Sequence, residues 1–477
     1  MKRGSGVLMH ISSLWGEYSI GSFGKEALEF VDFLSECGFS YWQVLPFCMV
    51  DECNSPYKSY SSFGGNPYFV DLDTLFEKGL LTGDDLRSAR QETPHSAEYV
   101  RLYHTRFNIL KKASQRTDEE YRKKVEDFIE SDFYLNQFCD FMALKSANGE
   151  KCWTQWTVDK ADSEILYAWK FIQYEFFTQW AKIKSYANSK GIKIIGDIPI
   201  YVAHDSADVW GNREFFRLTS DGEPKLVAGV PPDYFCPDGQ LWGNPLYNWE
   251  EMKKDGFSWW KERLKSMFSL FDGVRIDHFR ALESYWAVDA KETTAKEGSW
   301  QKGPGKDFID AINSVKGDKI IIAEDLGLIT EEVEELLAYS GYPGMRVLQF
   351  GFLESGDNPH KPHNYPQNSV VYTGTHDNNT LLGYVWELGE GQRRELMEYA
   401  GHFGDWNLGY DSIIRMMFMS GADTLILPIQ DLLGYGSDTR LNIPGKADGN
   451  WQFRITRSQL GEINTEKYKR LNFLYKR

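Results

Sequence analysis

Four short β-branched runs in this chain end in acidic groups. They read Gly196-Asp197-Ile198-Pro199, Val274-Arg275-Ile276-Asp277-His278, Ile322-Ala323-Glu324-Asp325 and Gly374-Thr375-His376-Asp377-Asn378. One such acid alone is more often a helix cap or a loop hydrogen bond. Four on one rim point to a site. Neighbouring strands lie about 4.8 Å apart. Carboxylates at the ends of two adjacent strands therefore meet at about 5 Å, the spacing of a retaining glycosidic pair; an inverting pair stands farther apart to admit water. One carboxylate must be ionised to attack the anomeric carbon, and the other protonated to release the leaving oxygen. Arg275 precedes Asp277 by two positions and so points to the same side of the strand. A guanidinium there favours the ionised carboxylate, which suits Asp277 as nucleophile. Glu324, beside that negative charge and among apolar strand residues, is expected to hold its proton, which suits it as acid/base. Asp377 and His376 arrive from across the barrel to bind hydroxyls and stabilise an oxocarbenium-like transition state. The competing reading of Arg275 and Asp277 is a buried structural ion pair.

The elements that must hold these groups recur along the chain. Eight apolar runs cover residues 6–11, 41–47, 192–198, 271–277, 319–325, 345–350, 369–373 and 423–429. Continuous apolar runs bounded by turn signals suit strands buried on both faces, hence a parallel sheet. Amphipathic stretches lie between them. Ala27, Phe30, Val31 and Leu34 share one helix face, Gly38 supplies a left-handed stop, and Tyr41 opens the next strand. Phe308, Ile312 and Val315 repeat the pattern before Gly317. Thr330 reads as an N-cap, followed by Glu331, Glu332 and an inner stripe of Val333, Leu336 and Leu337. Eight strand–helix repeats predict an α/β fold of the (β/α)8 TIM-barrel type, with large inserted subdomains in its βα loops.

The barrel is expected to form a single catalytic domain over residues 1–477. An inserted helical subdomain is expected at about 80–150, between the second and third strands. A long aromatic-rich loop at about 200–250 follows the third strand and reads as loop rather than helix, and a smaller insertion at about 283–304 follows the fourth.

Composition narrows the function. The chain has 477 residues and a net charge of −16, which disfavours binding to phosphate backbones or anionic membranes. No window approaches the length of a membrane helix, and the apolar stretch from Val7 to Met9 is too short for a signal peptide. The cysteines, Cys37, Cys48, Cys53, Cys139, Cys152 and Cys236, form no Cys-x-x-Cys pair and no zinc set. They read as reduced thiols, and the expected compartment is cytoplasmic. Aromatic residues are abundant, with 30 Phe, 26 Tyr and 16 Trp. Trp210, Tyr234, Phe235, Trp242, Tyr247 and Trp249 crowd the 200–250 loop, expected over the barrel mouth, and Tyr57 lies on another loop. Glucose rings offer flat C–H faces to such side chains. Many others, including those between Trp153 and Trp180, must be core.

At the acidic strand ends the sequence becomes recognisable. Phe271-Asp-Gly-Val-Arg-Ile-Asp-His278, Ile322-Ala-Glu-Asp-Leu-Gly327 and Thr373-Gly-Thr-His-Asp-Asn378 resemble conserved regions of the α-amylase superfamily. Tyr41-Trp-Gln-Val-Leu-Pro46, Ser55-Pro-Tyr57, Gly65-Asn-Pro67 and Gly196-Asp-Ile-Pro-Ile-Tyr-Val202 narrow the resemblance to the 4-α-glucanotransferases, glycoside hydrolase family 77. So do Gly229-Val-Pro-Pro-Asp-Tyr-Phe235, Gly239-Gln-Leu-Trp-Gly-Asn-Pro245 and Arg440-Leu-Asn-Ile-Pro-Gly445. The resemblance runs from about Gly4 to Trp451. It implies a nucleophile at Asp277, an acid/base at Glu324 and a stabiliser at Asp377. It also implies sugar contacts from Tyr57, Asp197, Arg275, His278 and His376, and a cleft border at Gln240, Trp242 and Asn244. Ser55 and Asn442, inside the matched motifs, are expected to contact substrate too. Between Pro46 and Ser55 this chain departs from the Pro-Thr-Gly type of loop, and Lys58 stands where Gln is common. The departure bears on outer subsites and preferred chain length.

The expected reaction is transfer of an α-1,4-glucan segment to the 4-hydroxyl of an acceptor glucan or glucose, with no cofactor and no metal. Two rival readings are an α-1,4-glucan hydrolase using the same carboxylates and a metal-dependent barrel lyase of the enolase type. Against the lyase, Arg275 would repel a cation beside Asp277.

Overall fold

The apolar runs become eight parallel strands that follow one another around a barrel in the computed structural model, which describes residues 1–50, 53–232, 237–353, 356–446 and 448–477. The barrel strands are β1 (Gly4–Leu8), β2 (Tyr41–Gln43), β3 (Lys193–Ile198), β6 (Gly273–Ile276), β9 (Ile320–Ala323), β10 (Gly344–Val347), β11 (Ser369–Tyr372) and β12 (Thr424–Pro428). Hydrogen-bonded pairing runs β10-β11-β12-β1-β2-β3-β6-β9, all parallel. The Ala323 N–H donates to Pro343 O at 3.0 Å and draws β9 towards β10. Asp325 works on the same seam. Its carboxylate accepts the Met345 N–H at 2.5 Å and the Arg346 guanidinium at 2.8 Å. This acid of the rim therefore has a structural post. The strands are shorter than the runs that announced them, because the residues past each strand end turn outward to form the rim.

Strand residues such as Val7, Trp42, Ile194, Val274, Ile322, Val370 and Ile426 are buried on one face or the other. Helices cover the outside. In Lys25–Glu36 the stripe Ala27, Phe30, Val31 and Leu34 is buried, and Gly38 ends the turn at φ +77°. In Gly305–Lys316, Phe308 and Ile312 are buried and Val315 lies at the margin. Thr330 holds the N-cap position of Glu331–Ser340 in an extended conformation, yet its hydroxyl caps no amide. The three acidic residues of the first turn are left to face the helix N-terminus.

Between β2 and β3 lie the helices Leu72–Glu77, Gly83–Ala89, Tyr99–Gln115, Glu119–Glu130 and Phe133–Ala147, and then the long crossover helix Ser163–Ser189. Gln173 and Gln179 of this last helix accept the Gly65 and Asp71 N–H groups, each at 2.7 Å. Gly65 allows the close approach: a Cβ there would stand 2.4 Å from the Phe176 ring. Trp180 of the same helix meets Phe23, Phe47 and Phe271 edge-on or tilted and donates its indole N–H to Leu270 O at 2.9 Å. Much of the aromatic excess sits here, filling the space between barrel and helices.

The stretches at 200–250, read as a long loop, and 283–304, read as a smaller insertion, carry secondary structure of their own. The first contains the helix Ala207–Gly211 and strands β4 (Leu226–Val230) and β5 (Gln240–Pro245); the second contains β7 (Ser284–Asp289) and β8 (Gly298–Lys302). Together they pair as one antiparallel sheet in the order β5-β4-β7-β8. Gly- and Pro-rich segments carry weak local strand signals; here a partner far along the chain supplies the ladder. Tyr247 and Trp249, expected over the mouth, are instead buried against Trp260 and Phe308. Tyr234, Phe235 and Cys236 lie outside the described residues. The described cysteines are free thiols. Among the described residues no helix is long and apolar enough to cross a membrane.

Candidate active site

The C-terminal rim gathers its groups from four strands. β3 and β6 pair with Asp197 opposite Arg275, and β6 and β9 pair with Ile276 opposite Ala323. The next residues along these last two strands are Asp277 and Glu324, so the two carboxylates leave adjacent strand ends side by side. The Asp277 N–H donates to Ile198 O at 2.9 Å and the Glu324 N–H to Ile276 O at 3.1 Å, which extends the ladder by one step. The chain then turns sharply. His278 takes φ +55°, a left-handed conformation uncommon for a residue with a Cβ. The turn aims its own N–H at Glu324.

Glu324 is buried, with 8% of its surface exposed. Its oxygens accept the His278 N–H at 2.7 Å and the Leu326 N–H at 2.9 Å. Burial pushes its pKa up to about 7; Arg275 opposes the rise, and the Asp277 charge adds to it. A carboxyl in this state can give a proton near neutral pH and take it back.

Arg275 divides its guanidinium between two acids. Nη1 donates to both Asp197 oxygens at 2.9 and 2.8 Å, and Nη2 reaches Asp277 Oδ1 at 2.8 Å. One edge of the nucleophile candidate is thus clamped in a fixed orientation. Burial pushes the Asp197 carboxyl up to about 6 against the pull of Arg275. Tyr57 completes this layer. Its hydroxyl donates to Asp197 Oδ2 at 2.8 Å, and its ring stacks on His376 with centroids 5.1 Å apart and planes 19° apart. Ser55 Oγ accepts the Tyr57 N–H at 3.2 Å and shapes the turn that presents that ring.

Asp377 faces this cluster from β11. His376 Nε2 lies 3.2 Å from its Oδ2, and Asn442 Nδ2 donates to its Oδ1 at 2.6 Å. Burial pushes the Asp377 carboxyl up, but the charge and hydrogen bond of His376 and the bond from Asn442 outweigh it and hold it at about 2. The same contact raises the pKa of His376, although burial alone would lower it. His278 is pushed down to about 4 by burial and is neutral. Asn442 also donates its backbone N–H to His376 O at 3.1 Å, so both bonds it donates go to the His376–Asp377 segment. Replacing it by Ala removes a hydrogen bond to a charged group, worth about 1.5–3 kcal/mol in general. Asp377 is partly open to solvent, which favours the lower end. Asn442→Ala is therefore expected to lower kcat/KM about tenfold while the melting temperature changes little; unchanged kinetics would remove Asn442 from the site.

The 240–244 segment reaches the rim through one residue in particular. Trp242 meets the His278 ring edge-on at 4.9 Å and donates its indole N–H to Gln240 Oε1 at 3.2 Å. Asn244 spends its amide on Val202 O at 2.9 Å, an anchor between this strand and the loop after β3. Two residues absent from the sequence-based site set belong to the same cluster. Trp451 packs 5.9 Å from both the Tyr57 and the His376 rings, and Arg440 donates to Asp377 O. Arg440 stood inside a recognised motif. Trp451 had no local signal, because its approach depends on φ +67° in a loop some 400 residues from Tyr57.

Comparisons with known proteins identify the family. The model of glycoside hydrolase family 77, 4-alpha-glucanotransferase, matches residues 9–459. The chain belongs to the 4-alpha-glucanotransferase family. Family members of the same name include the protein of Streptococcus pneumoniae, 42% identical over 100% of this chain and 98% of its own length. The Thermus thermophilus protein is 40% identical over 99% of this chain and 98% of its own. Among solved structures, amylomaltase from Streptococcus agalactiae in complex with acarbose superposes with a TM-score of 0.96 at 38% identity, covering 100% of both chains. The family's activity is glycosyl transfer among α-glucans, and this chain is such an enzyme. In the 47–54 segment, Cys48 forms an isolated antiparallel β-bridge with Gly65, and Val50 forms one with Ser59. Positions 51 and 52 of that segment lie outside the described residues.

Proposed function

We propose that this enzyme transfers segments of α-1,4-glucans by a retaining double displacement through a covalent glycosyl-enzyme. The observation that carries the reading is the adjacent carboxylate pair, with Arg275 clamping Asp277 and burial keeping Glu324 protonated. In the first step an Asp277 oxygen bonds to the anomeric carbon. The bond from that carbon to the leaving 4-oxygen breaks, and the Glu324 proton goes to that oxygen. In the second step the Glu324 carboxylate takes the proton of an acceptor 4-hydroxyl. That oxygen bonds to the anomeric carbon and Asp277 is released, leaving an α-1,4 bond with retained configuration. Asp377, held ionised, faces the positive charge that develops on the ring. Donors are maltooligosaccharides and starch- or glycogen-derived chains; acceptors are glucose or the same glucans. Tyr57, Asp197, Arg275, His278 and His376 surround the ring on the non-reducing side of the cleaved bond, and Trp242 borders it. Ser55, Gln240, Asn244 and Asn442 act through the residues they hold. The similarity to an amylomaltase in complex with acarbose supports an α-glucan-shaped cleft. The proposed chemistry needs no cofactor or metal, and Arg275 already occupies the space between Asp197 and Asp277 that a cation would take.

Incubation with maltotriose tests the reading. A ladder of longer and shorter glucans is expected; glucose and maltose alone would make the enzyme a hydrolase. The pH profile tests the acid. Because the pKa of Glu324 is raised, its acid form persists up to about pH 7 and is lost above it. With glucan donors kcat/KM is therefore expected to fall through a limb near pH 7 as the pH rises. A flat profile from pH 6 to 9 would remove Glu324 as the proton donor.

A further inference from the structure

The loops that leave the two catalytic strands meet at a buried arginine. Arg280 follows Asp277 closely, and Leu328 follows Glu324. Arg280 Nη1 donates to Leu328 O at 2.7 Å and Nη2 to Ser284 Oγ at 3.0 Å. Arg280 itself is only 4% exposed. Trp300 covers it, with the guanidinium carbon 4.0 Å from the ring centre. Trp300 lies on β8, the edge strand of the antiparallel sheet, directly across from Trp286. The two indoles pack at 5.3 Å and 67°. Trp286 in turn is anchored through its N–H to Ala295 O at 2.9 Å. Trp300 is thus fixed by a cation on one side and an aromatic edge on another, and it still presents 41% of its surface to solvent. Leu328, tied to the same arginine, is 63% exposed.

We propose that Trp300, stiffened by Arg280 and Trp286, is an outer stacking platform for the glucan chain on the leaving-group and acceptor side of the cleft. The proposal rests on the transfer reading above. Three features select a glucan as the occupant. The platform is continuous with the loop that carries Glu324, and the departing chain and the incoming acceptor both lie on the side of the proton donor. The ring is held rigid, so a flat sugar face meets it without loss of side-chain entropy. Lys302, two positions along β8 and so on the face of Trp300, is paired with Glu283, which leaves that face without a free charge, as a neutral sugar requires. An aromatic face left open beside a site otherwise exposes apolar area to water with no return.

The experiment compares two labelled acceptors, glucose and maltohexaose, with amylose as donor. In Trp300→Ala the ratio of KM for maltohexaose to KM for glucose is expected to rise 5- to 20-fold over the unsubstituted enzyme, with Trp300→Phe between the two. An unchanged ratio overturns the proposal, including the case in which both KM values rise together, because that reports a disturbed catalytic centre. A change in oligomeric mass with no change in the ratio also overturns it and assigns the patch to contacts between copies. If Trp300→Ala fails to fold, Trp300→Phe decides, and a ratio equal to that of the unsubstituted enzyme counts against the platform. Failure of the transfer reading is separately visible, because the unsubstituted enzyme would then give no ladder from maltotriose.

Discussion

Asp277→Asn is expected to lower transfer from maltotriose by about 10⁴-fold or more, a loss of about 5 kcal/mol of transition-state stabilisation. The amide is nearly the same size but cannot form the glycosyl ester. The fold is expected to survive, because Arg275 keeps both of its bonds to Asp197 and is not left as an unpaired buried charge. Circular dichroism and a melting temperature within a few degrees of the parent check this. A second variant makes the result stereochemical. Asp277→Ala opens space at the anomeric face, so azide with α-maltosyl fluoride is expected to give the β-azide, with inverted configuration. A variant within tenfold of the parent would sink the nucleophile assignment.

The second large effect separates the acid from the nucleophile. Glu324→Gln is expected to lower kcat/KM for glucan donors by about 10³-fold, within the range of a lost general acid. With α-maltosyl fluoride the loss in the first step is expected to be far smaller, because fluoride leaves without a proton. The limb near pH 7 is expected to vanish with the side chain that causes it. In Glu324→Ala, azide is expected to attack the glycosyl-enzyme on Asp277 and yield the α-azide, with retained configuration. The opposite azide anomers from the two alanine variants would assign the two roles independently. An equal loss with fluoride and glucan donors would mean that Glu324 does not protonate the leaving group.

The adjacent carboxylates at the strand ends were legible because their signals are local. The β-branched runs, the acids at their ends and the two-residue spacing of Arg275 and Asp277 all lie within a few residues of each other, and strand spacing does the rest. The helix stripe Ala27, Phe30, Val31 and Leu34 was legible for the same reason. The division of labour among the other rim residues was not. Asp325 follows Glu324 directly, yet strand alternation turns it to the β9–β10 seam, where it binds Met345 and Arg346. Asn442 and Ser55 sit in recognised motifs, but their observed contacts are to Asp377 and to the Tyr57 turn. The aromatic stretch at 200–250 was partly misplaced for a similar reason. Burial of Tyr247 and Trp249 depends on Trp260 and Phe308, which arrive from helices further along the chain.

By itself the amino-acid sequence determined the barrel class, the acids at the strand ends and the family. Each of these depends on periodicity, short spacing or matched motifs. The tertiary structure decided what required distant segments to meet: the joint sheet of β4, β5, β7 and β8, the stack of Tyr57, His376 and Trp451, and the arginine clamp on Asp197. It also raises the pKa of Glu324, because burial is a property of everything packed around a group and not of its neighbours in the chain.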